Sequence, residues 1–244
     1  MKALIITQAR LASSRLPGKV LRTVANIPLI DYQLSRLQKS GSQICVATTT
    51  SEADDTLFHY LTDSGIDTFR GSETDVLSRF YECALSHSAD VIVRVTSDCP
   101  LIDGQLIQKS LDTYLKANDP SLYLSNTTIR TFPRGFDFEI FSFHMLEHTH
   151  QTASELHDRE HVTTLMRRFC GSIYRNIDIL FPRDVSHFRI TVDEEADFML
   201  VEKLLRDFQC HEKNAEEIIA FLEIHPELVS INQTVEQKKS LGST

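Results

Sequence analysis

The 244-residue sequence has no apolar run long enough to cross a bilayer, no paired-cysteine motif and no surplus of positive charge. Each absence excludes something. After Met1 and Lys2 the apolar run Ala3 to Ile6 gives way at once to Thr7, Gln8 and Arg10. That is too short for the core of a secretion signal and far too short for a membrane span, so no membrane partner is expected. The five cysteines (45, 83, 99, 170 and 210) are odd in number, scattered and lack any CxxC pair. They predict free thiols in a reducing, cytoplasmic setting. The net charge of −9, from 25 basic and 34 acidic residues, argues against nucleic acid or an anionic membrane surface as partner. It leaves room for one small basic pocket around a phosphate ligand. No internal repeat and no linker divides the chain, which predicts one domain over residues 1–234 and a polar, flexible tail over 235–244.

What is there is an alternation of short β-branched runs and amphipathic segments. Strands are predicted at 3–8, 43–48, 67–69, 91–96 and 122–125. Between them Ile30, Leu34 and Leu37 share a helical face, as do Leu77, Tyr81 and Ala84, and then Ile107, Leu111 and Tyr114. Ser51-Glu-Ala-Asp54 spells a capping box ahead of a helix ending near Asp63. This order implies right-handed crossovers and an α/β fold with a mainly parallel sheet flanked by helices. The pattern changes after Asn126. Phe136-Asp-Phe-Glu-Ile-Phe141 alternates apolar and acidic residues like a half-exposed strand, with Arg134-Gly135 at a bend before it. Residues 127–157 are therefore read as a β-containing excursion that carries substrate contacts, a dimer contact or both. The chain is expected to return to the sheet at 188–192 and to continue in a helix burying Phe198, Val201, Leu205 and Phe208.

Three segments carry residues suited to chemistry. The first, Gln8-Ala-Arg-Leu-Ala-Ser-Ser-Arg-Leu-Pro-Gly-Lys19, follows the first strand and combines three cations with two hydroxyls. Ligands of parallel sheets sit beyond the carboxyl ends of strands, and such a loop suits a polyphosphate. It lacks the glycines of a Walker loop or a dinucleotide fingerprint, and a solvated basic turn has the same composition. The second, Val91-Ile-Val-Arg-Val-Thr-Ser-Asp98, places Arg94 inside a strand buried on both faces, where a guanidinium needs an acceptor. Asp98 lies just past the strand end, as a ligand group or as a cap. The third, Phe188-Arg-Ile-Thr-Val-Asp193, also ends in a carboxylate; Asp193 either joins Asp98 on Mg²⁺ or caps the helix after it. Two converging carboxylates repel unless a cation lies between them, so replacing either is expected to leave stability unchanged or slightly raised. His144 and His148, and His157 and His161, are four apart, but without HExxH, a cysteine pair or a third ligand they do not make a zinc site.

The pattern Ala9-Arg-x-x-x-Ser-Arg-Leu-Pro-Gly-Lys19 resembles the signature loop of the cytidylyltransferases that activate sialic acids and 3-deoxy-manno-octulosonate, most of all the branch of the spore-coat polysaccharide biosynthesis protein F. Further blocks recur in order: Val46-Ala-Thr-Thr49, Phe69-Arg-Gly-Ser72, Asp75-Val-Leu77, Arg94 to Asp103, Phe132-Pro-Arg-Gly135, Arg159-Glu-His-Val-Thr163 and Arg189-Ile-Thr-Val-Asp193. The resemblance implies a nucleotide-diphosphosugar-transferase-like, Rossmann-like fold, and a nucleotidyltransferase that moves CMP from CTP to a sugar or sugar acid with release of pyrophosphate. It implies that Ala9, Arg10, Ser14, Arg15 and Lys19 hold the triphosphate, and that Arg70, Gly71, Ser72 and Arg79 frame cytosine and ribose. Arg94 and Asp98 complete the nucleotide set, with Arg15, Lys19 and Asp98 as the catalytic group. Asp98 and Asp193 would hold Mg²⁺. Arg134, Asp137, Glu139, Glu160 and His161 would face the sugar. Arg94 departs from better-studied members, which carry an uncharged amide or a different residue there. The sugar-facing blocks also differ from the sialate and octulosonate enzymes, so the resemblance says more about the chemistry than about the acceptor. A glycosyltransferase consuming a nucleotide sugar, or an inactive nucleotide-binding partner, are the alternatives; a homodimer is compatible with either.

Overall fold

In the computed structural model, residues 1–13 and 15–237 are described. Among these residues, strands lie at Ala3–Gln8 (β1), Thr23–Val24 (β2), Ile27–Pro28 (β3), Gln43–Thr49 (β4), Thr68–Gly71 (β5), Val91–Thr96 (β6), Leu122–Ser125 (β7), Glu139–Ser142 (β8) and Arg175–Asp178 (β9). Ten α-helices are Leu29–Gln38 (α1), Asp55–Asp63 (α2), Val76–Ser86 (α3), Gly104–Ala117 (α4), Phe143–Thr152 (α5), Leu156–His161 (α6), Thr164–Phe169 (α7), Glu195–Arg206 (α8), Ala215–Glu223 (α9) and Pro226–Val229 (α10). Seven strands form one sheet in the order β5-β4-β1-β6-β8-β7-β9, and β2 and β3 form a small hairpin. Strands β5, β4, β1 and β6 are parallel; β8 runs antiparallel to both its neighbours; β9 is parallel to β7.

The parallel strands were legible because both their faces are covered. Leu4, Ile5 and Ile6 on β1 are all sealed from solvent. Ile5 packs with Leu37, Ile107 and Leu111 of α1 and α4, while Leu4 and Ile6 pack with Leu77, Phe80, Met145 and Met166 of α3, α5 and α7. A strand in such a three-layer arrangement needs a continuous apolar run rather than alternation.

Three expectations are corrected. Within the 127–157 segment, which otherwise lies outside the sheet, β8 is not a half-exposed strand: it inserts antiparallel between β6 and β7 and is buried along its length. Its acidic Glu139 therefore does not face solvent. Residues 188–192 are not a strand of the sheet: they touch the chain at Arg134–Gly135 through a single isolated bridge and a short pair of backbone bonds. Ser51 makes no side-chain cap, and Asp54 turns away from α2 to accept from the Thr49 hydroxyl and, at 2.6 Å, from the Leu11 amide. That bond fastens the start of the basic loop to the end of β4. The strand β9 and the hairpin β2–β3 had no clear apolar pattern; β9 is half exposed at the sheet edge. Of the tail, Val235 still bonds back to Asn232, and residues 238–244 lie outside the described residues.

Candidate active site

The carboxyl ends of β1 and β6 open into a cleft made of two adjoining hollows of about 680 and 350 Å³ that share Gln8, Arg10, Arg15, Asp98 and Glu160. The first is completed by Glu73, Thr74, Val76, Arg79, Leu156 and His161, the second by Ser13, Lys19, Thr96, Ser97 and Asp193. Strand-end geometry explains the gathering. Gln8 and Thr96 are register partners on adjacent parallel strands, so the loops after them leave the sheet side by side. From below, Gln33 of α1 holds the β6 turn in place: its Nε2 donates to Thr96 O at 2.6 Å and Cys99 O at 3.2 Å. A third hollow of about 440 Å³ lies by Met1, Asp90 and Tyr114, against the start of β6, and contains no lysine or arginine.

Lys19 is the centre of the site. Its Nζ lies 2.9 Å from Asp193 Oδ1 and 3.4 Å from Asp98 Oδ2, and donates to Val192 O at 2.7 Å. The cation that two converging carboxylates require is thus supplied by the chain itself. Burial alone would lower the Lys19 pKa, but Asp98 and Asp193 outweigh it and hold the ammonium above its ordinary value. Asp193 receives two further cations on Oδ2, Arg15 at 3.0 Å and Arg189 at 2.8 Å. Burial would raise its carboxyl, yet Lys19, Arg15 and Arg189 hold it below the usual range. Asp193 is no helix cap: Glu194 is the N-cap of α8 and closes a reciprocal capping box with Asp197. Asp98 accepts from the Thr96 hydroxyl and caps no helix either; the N-cap of α4 is Asp103.

Asp193 reaches this place by an unusual backbone route. The Val192 amide donates to Asp98 O at 2.8 Å and the Thr191 hydroxyl to the same oxygen at 3.1 Å. On the other side Arg134 and residues 188–190 exchange backbone bonds across Gly135, whose φ is +117°. The two metal-candidate aspartates are therefore coupled through main chain as well as through Lys19.

The remaining sequence candidates divide. Arg10, Arg15, Lys19, Asp98, Glu160 and His161 line the cleft, and Arg79 forms part of its wall, bonded to Ser72 O. Burial, and then the charge of Arg10, push the Arg79 pKa down to about 10. Burial and the neighbouring His157 lower His161, which favours its neutral imidazole. Ala9 is buried behind the loop and contributes backbone only, its amide bonded to Ala47 O. Gly71 lets Arg79 pass, since a Cβ there would meet Arg79 Cγ at 2.8 Å. Ser72 is spent on its own loop, accepting from the Asp75 amide. Arg70 is turned away: it donates to Thr49 O and Ser51 O and pairs with Asp55. Asp137 forms a two-pronged pair with Arg130, and the half-buried Arg134 senses both Arg189 and Asp193. Ser14 lies outside the described residues.

Glu139 is corrected outright as a sugar contact. Its side chain is 2% exposed and accepts from Tyr123 Oη at 2.6 Å, Thr163 Oγ1 at 2.8 Å, Arg94 and Arg167. Burial would raise its carboxyl, but Arg167 and Arg94 hold it far below the usual range. Arg94, for its part, finds here the acceptor that a guanidinium in a buried strand requires. Ser13, one of the two loop hydroxyls, does line the cleft, whereas sequence reasoning missed Gln8, Thr96, Ser97, Glu73 and Thr74. The strand-end rule alone would have found Gln8, Thr96 and Ser97.

Within the described residues no helix is long and apolar enough to cross a membrane. Residues 4–241 match the family model described as cytidylyltransferase. An uncharacterised protein of Methanocaldococcus jannaschii is 36% identical over 98% of this chain and 97% of its own length. The spore coat polysaccharide biosynthesis protein SpsF of Bacillus subtilis is 30% identical over 92% of this chain and 95% of its own. The solved structure of a cytidylyltransferase from Leptospira borgpetersenii superposes with a TM-score of 0.90 at 31% identity, covering 97% of this chain and all of that one. With a polyphosphate-suited loop facing two carboxylates at the sheet's carboxyl edge, and agreement of that extent along its whole length, the chain belongs to the cytidylyltransferase family, whose enzymes transfer a cytidylyl group from CTP with release of pyrophosphate.

Proposed function

We propose that this enzyme activates a sugar or sugar acid as its CMP derivative for polysaccharide or glycan synthesis, with Mg²⁺ held by Asp98 and Asp193. The observation that carries this reading is the convergence of Arg15 and Lys19 with those two carboxylates in one cleft. The similarity to a spore coat polysaccharide protein and the resemblance to sugar-acid enzymes support the acceptor class. In the reaction an acceptor hydroxyl forms a bond to the α-phosphorus of CTP. The bond to the bridging oxygen breaks, pyrophosphate leaves with that electron pair, and the hydroxyl proton is lost. Arg15 and Lys19 neutralise the leaving pyrophosphate, and Arg10 lies along the same wall. Arg79 and the loop at Glu73 and Thr74 border the larger hollow, which has room for a nucleoside. Glu160 and His161, with Arg134 and Asp137 beyond Asp193, are assigned to the acceptor.

The donor set is all oxygen, as a hard divalent cation requires: the two carboxylates and the Val192 carbonyl converge on the Lys19 ammonium, which a bound metal would displace from the carboxylates. Bound there, Mg²⁺ would supply charge neutralisation on the phosphates.

CTP with Mg²⁺ should raise the melting temperature more than ATP, GTP or UTP, since a ligand at a hundredfold excess over Kd adds about 2.7 kcal/mol. Equal shifts from all four nucleotides would remove the cytidine assignment. Pyrophosphate release dependent on an added sugar acid would establish the acceptor class, and consumption of a ready-made nucleotide sugar instead would replace this reading with glycosyl transfer.

Lys19 competes with a metal for the same oxygens, so Lys19→Met should slow turnover yet tighten binding of Mn²⁺ to the nucleotide-free protein by roughly tenfold or more, the loss of one charge-assisted contact being worth about 1.5–3 kcal/mol. Titration with Mn²⁺ followed by electron paramagnetic resonance reads this directly. Unchanged or weaker Mn²⁺ affinity would separate Lys19 from the metal site.

A further inference from the structure

Away from the cleft, at the opposite end of α3, two cysteines and a histidine face one another. Cys45 lies on β4 and Cys83 on the last turns of α3, and His87 is the C-cap of that helix. The two sulfurs are 3.6 Å apart, Cys83 Sγ is 4.0 Å from His87 Nδ1, and all three ligand atoms lie within 4.8 Å of one another. A tetrahedral Zn²⁺ with bonds of about 2.3 Å to sulfur and about 2.0 Å to nitrogen sets S···S near 3.8 Å and S···N near 3.6 Å. The observed Cys45–Cys83 and Cys83–His87 spacings differ from these by a few tenths of an ångström, and the Cys45–His87 pair lies within 4.8 Å. We propose that Cys45, Cys83 and His87 form a binding site for a thiophilic divalent cation of the Zn²⁺ type, separate from the catalytic cleft and independent of the reaction assigned to it.

The surroundings match such a centre. His87 Nε2 lies 3.0 Å from Asp67 Oδ2, and that oxygen also accepts from Gln43 Nε2 at 2.9 Å. A carboxylate on the distal nitrogen fixes the ring and raises its basicity, leaving Nδ1 for the metal. Nδ1 lies 2.7 Å from Cys83 O, and loading would turn it from that carbonyl toward the metal between the two sulfurs. Both sulfurs are fully buried in the apolar layer with Leu4, Ile6, Phe80 and Ala84. Two thiolates there need a divalent cation, and with it the site is neutral. His87 is the only one of the three ligands that is not fully buried, its side chain being 14% exposed, and a water would complete the tetrahedron from that side. Loading releases the thiol protons, so affinity rises with pH. Bound metal would clamp the end of α3 to β4, and the other end of α3 carries Arg79.

The test uses the full chain, reduced and treated with chelator, titrated with Co²⁺ as a spectroscopic probe and then with Zn²⁺. The expected result is one equivalent of Co²⁺ with a thiolate-to-cobalt charge-transfer band that Zn²⁺ abolishes. The band should be lost in Cys83→Ala, and in His87→Gln, which lies outside the apolar core, affinity should drop at least tenfold. Asp67→Asn should weaken uptake by about tenfold through the ring it orients. Absence of a thiolate band at stoichiometric Co²⁺, or uptake unaffected by both His87→Gln and Cys83→Ala, overturns the proposal.

Discussion

Asp193→Asn is expected to abolish most turnover and, at the same time, to lower the stability of the nucleotide-free protein. The two losses have different causes. Turnover falls because one of the two carboxylates proposed to hold Mg²⁺ is gone; removing a single preorganised electrostatic contact from an active site costs on the order of a hundredfold or more in kcat. Stability falls because Asp193 is the anion that Lys19, Arg15 and Arg189 share, at 2.9, 3.0 and 2.8 Å. Its side chain is only 12% exposed, so the amide leaves three cations crowded in a poorly solvated place. Breaking a buried pair from one side costs about 3 kcal/mol. This reverses the expectation from sequence, in which the aspartates repelled and removal of either was neutral or favourable. That argument counted the two anions and not the cations that the fold brings between them. Asp98→Asn should cost as much turnover with a smaller stability change, because Lys19 keeps Asp193 and the Val192 carbonyl. Urea denaturation and pyrophosphate release, measured on both variants, decide the matter. An Asp193→Asn protein with wild-type stability would show that the cation cluster is not held by this carboxylate, and one with wild-type turnover would remove Asp193 from the site.

Gly135→Ala should be strongly destabilising, for two reasons that act together. At φ +117° an L-residue is strained wherever it sits, and here there is also no space. The added Cβ would lie 2.7 Å from Ile190 Cγ1, 2.8 Å from Ile190 C and 2.9 Å from Thr191 N. Two of those atoms are backbone and cannot rotate away. Strain and overpacking together are worth about 3 kcal/mol or more. The displaced segment leads directly into Asp193, so CTP binding should weaken in whatever fraction remains folded. Gly41→Ala is the control: its φ is +70°, but a Cβ there meets nothing within 4 Å, and only the backbone term of about 1 kcal/mol applies. Equal denaturation midpoints for the two variants would mean that the close approach at Gly135 is not what holds the 188–193 segment.

The resemblance and the similarity along the whole chain agree on the reaction, while the spatial arrangement shows how the parts of the loop differ in use. Arg10, Arg15 and Lys19 point into the cleft, whereas Ala9 and Leu16 are buried and carry the turn. A motif of consecutive residues thus contains both the ligand-facing groups and the packing that presents them.

Sequence by itself determined the parallel half of the sheet, since strands covered on both faces must be unbroken β-branched runs, as at residues 3–8 and 91–96. It also determined where chemistry would gather, because parallel strands end at a common edge, and Arg15, Lys19 and Asp98 all follow such ends. Only the tertiary structure decided the rest. The alternation at 136–141 matches an exposed strand, yet β8 is central; Glu139 is buried because Arg94, Tyr123, Thr163 and Arg167, distant in the chain, supply donors that no local pattern announces. The run at 188–192 has strand composition, but Gly135 draws it out of the sheet and against the Asp98 turn. Local periodicity reports which residues avoid water, and it carries no information on which distant charge will meet them. That is why Lys19 between Asp98 and Asp193, separated from them by 79 and 174 residues of chain, became visible only in the folded molecule.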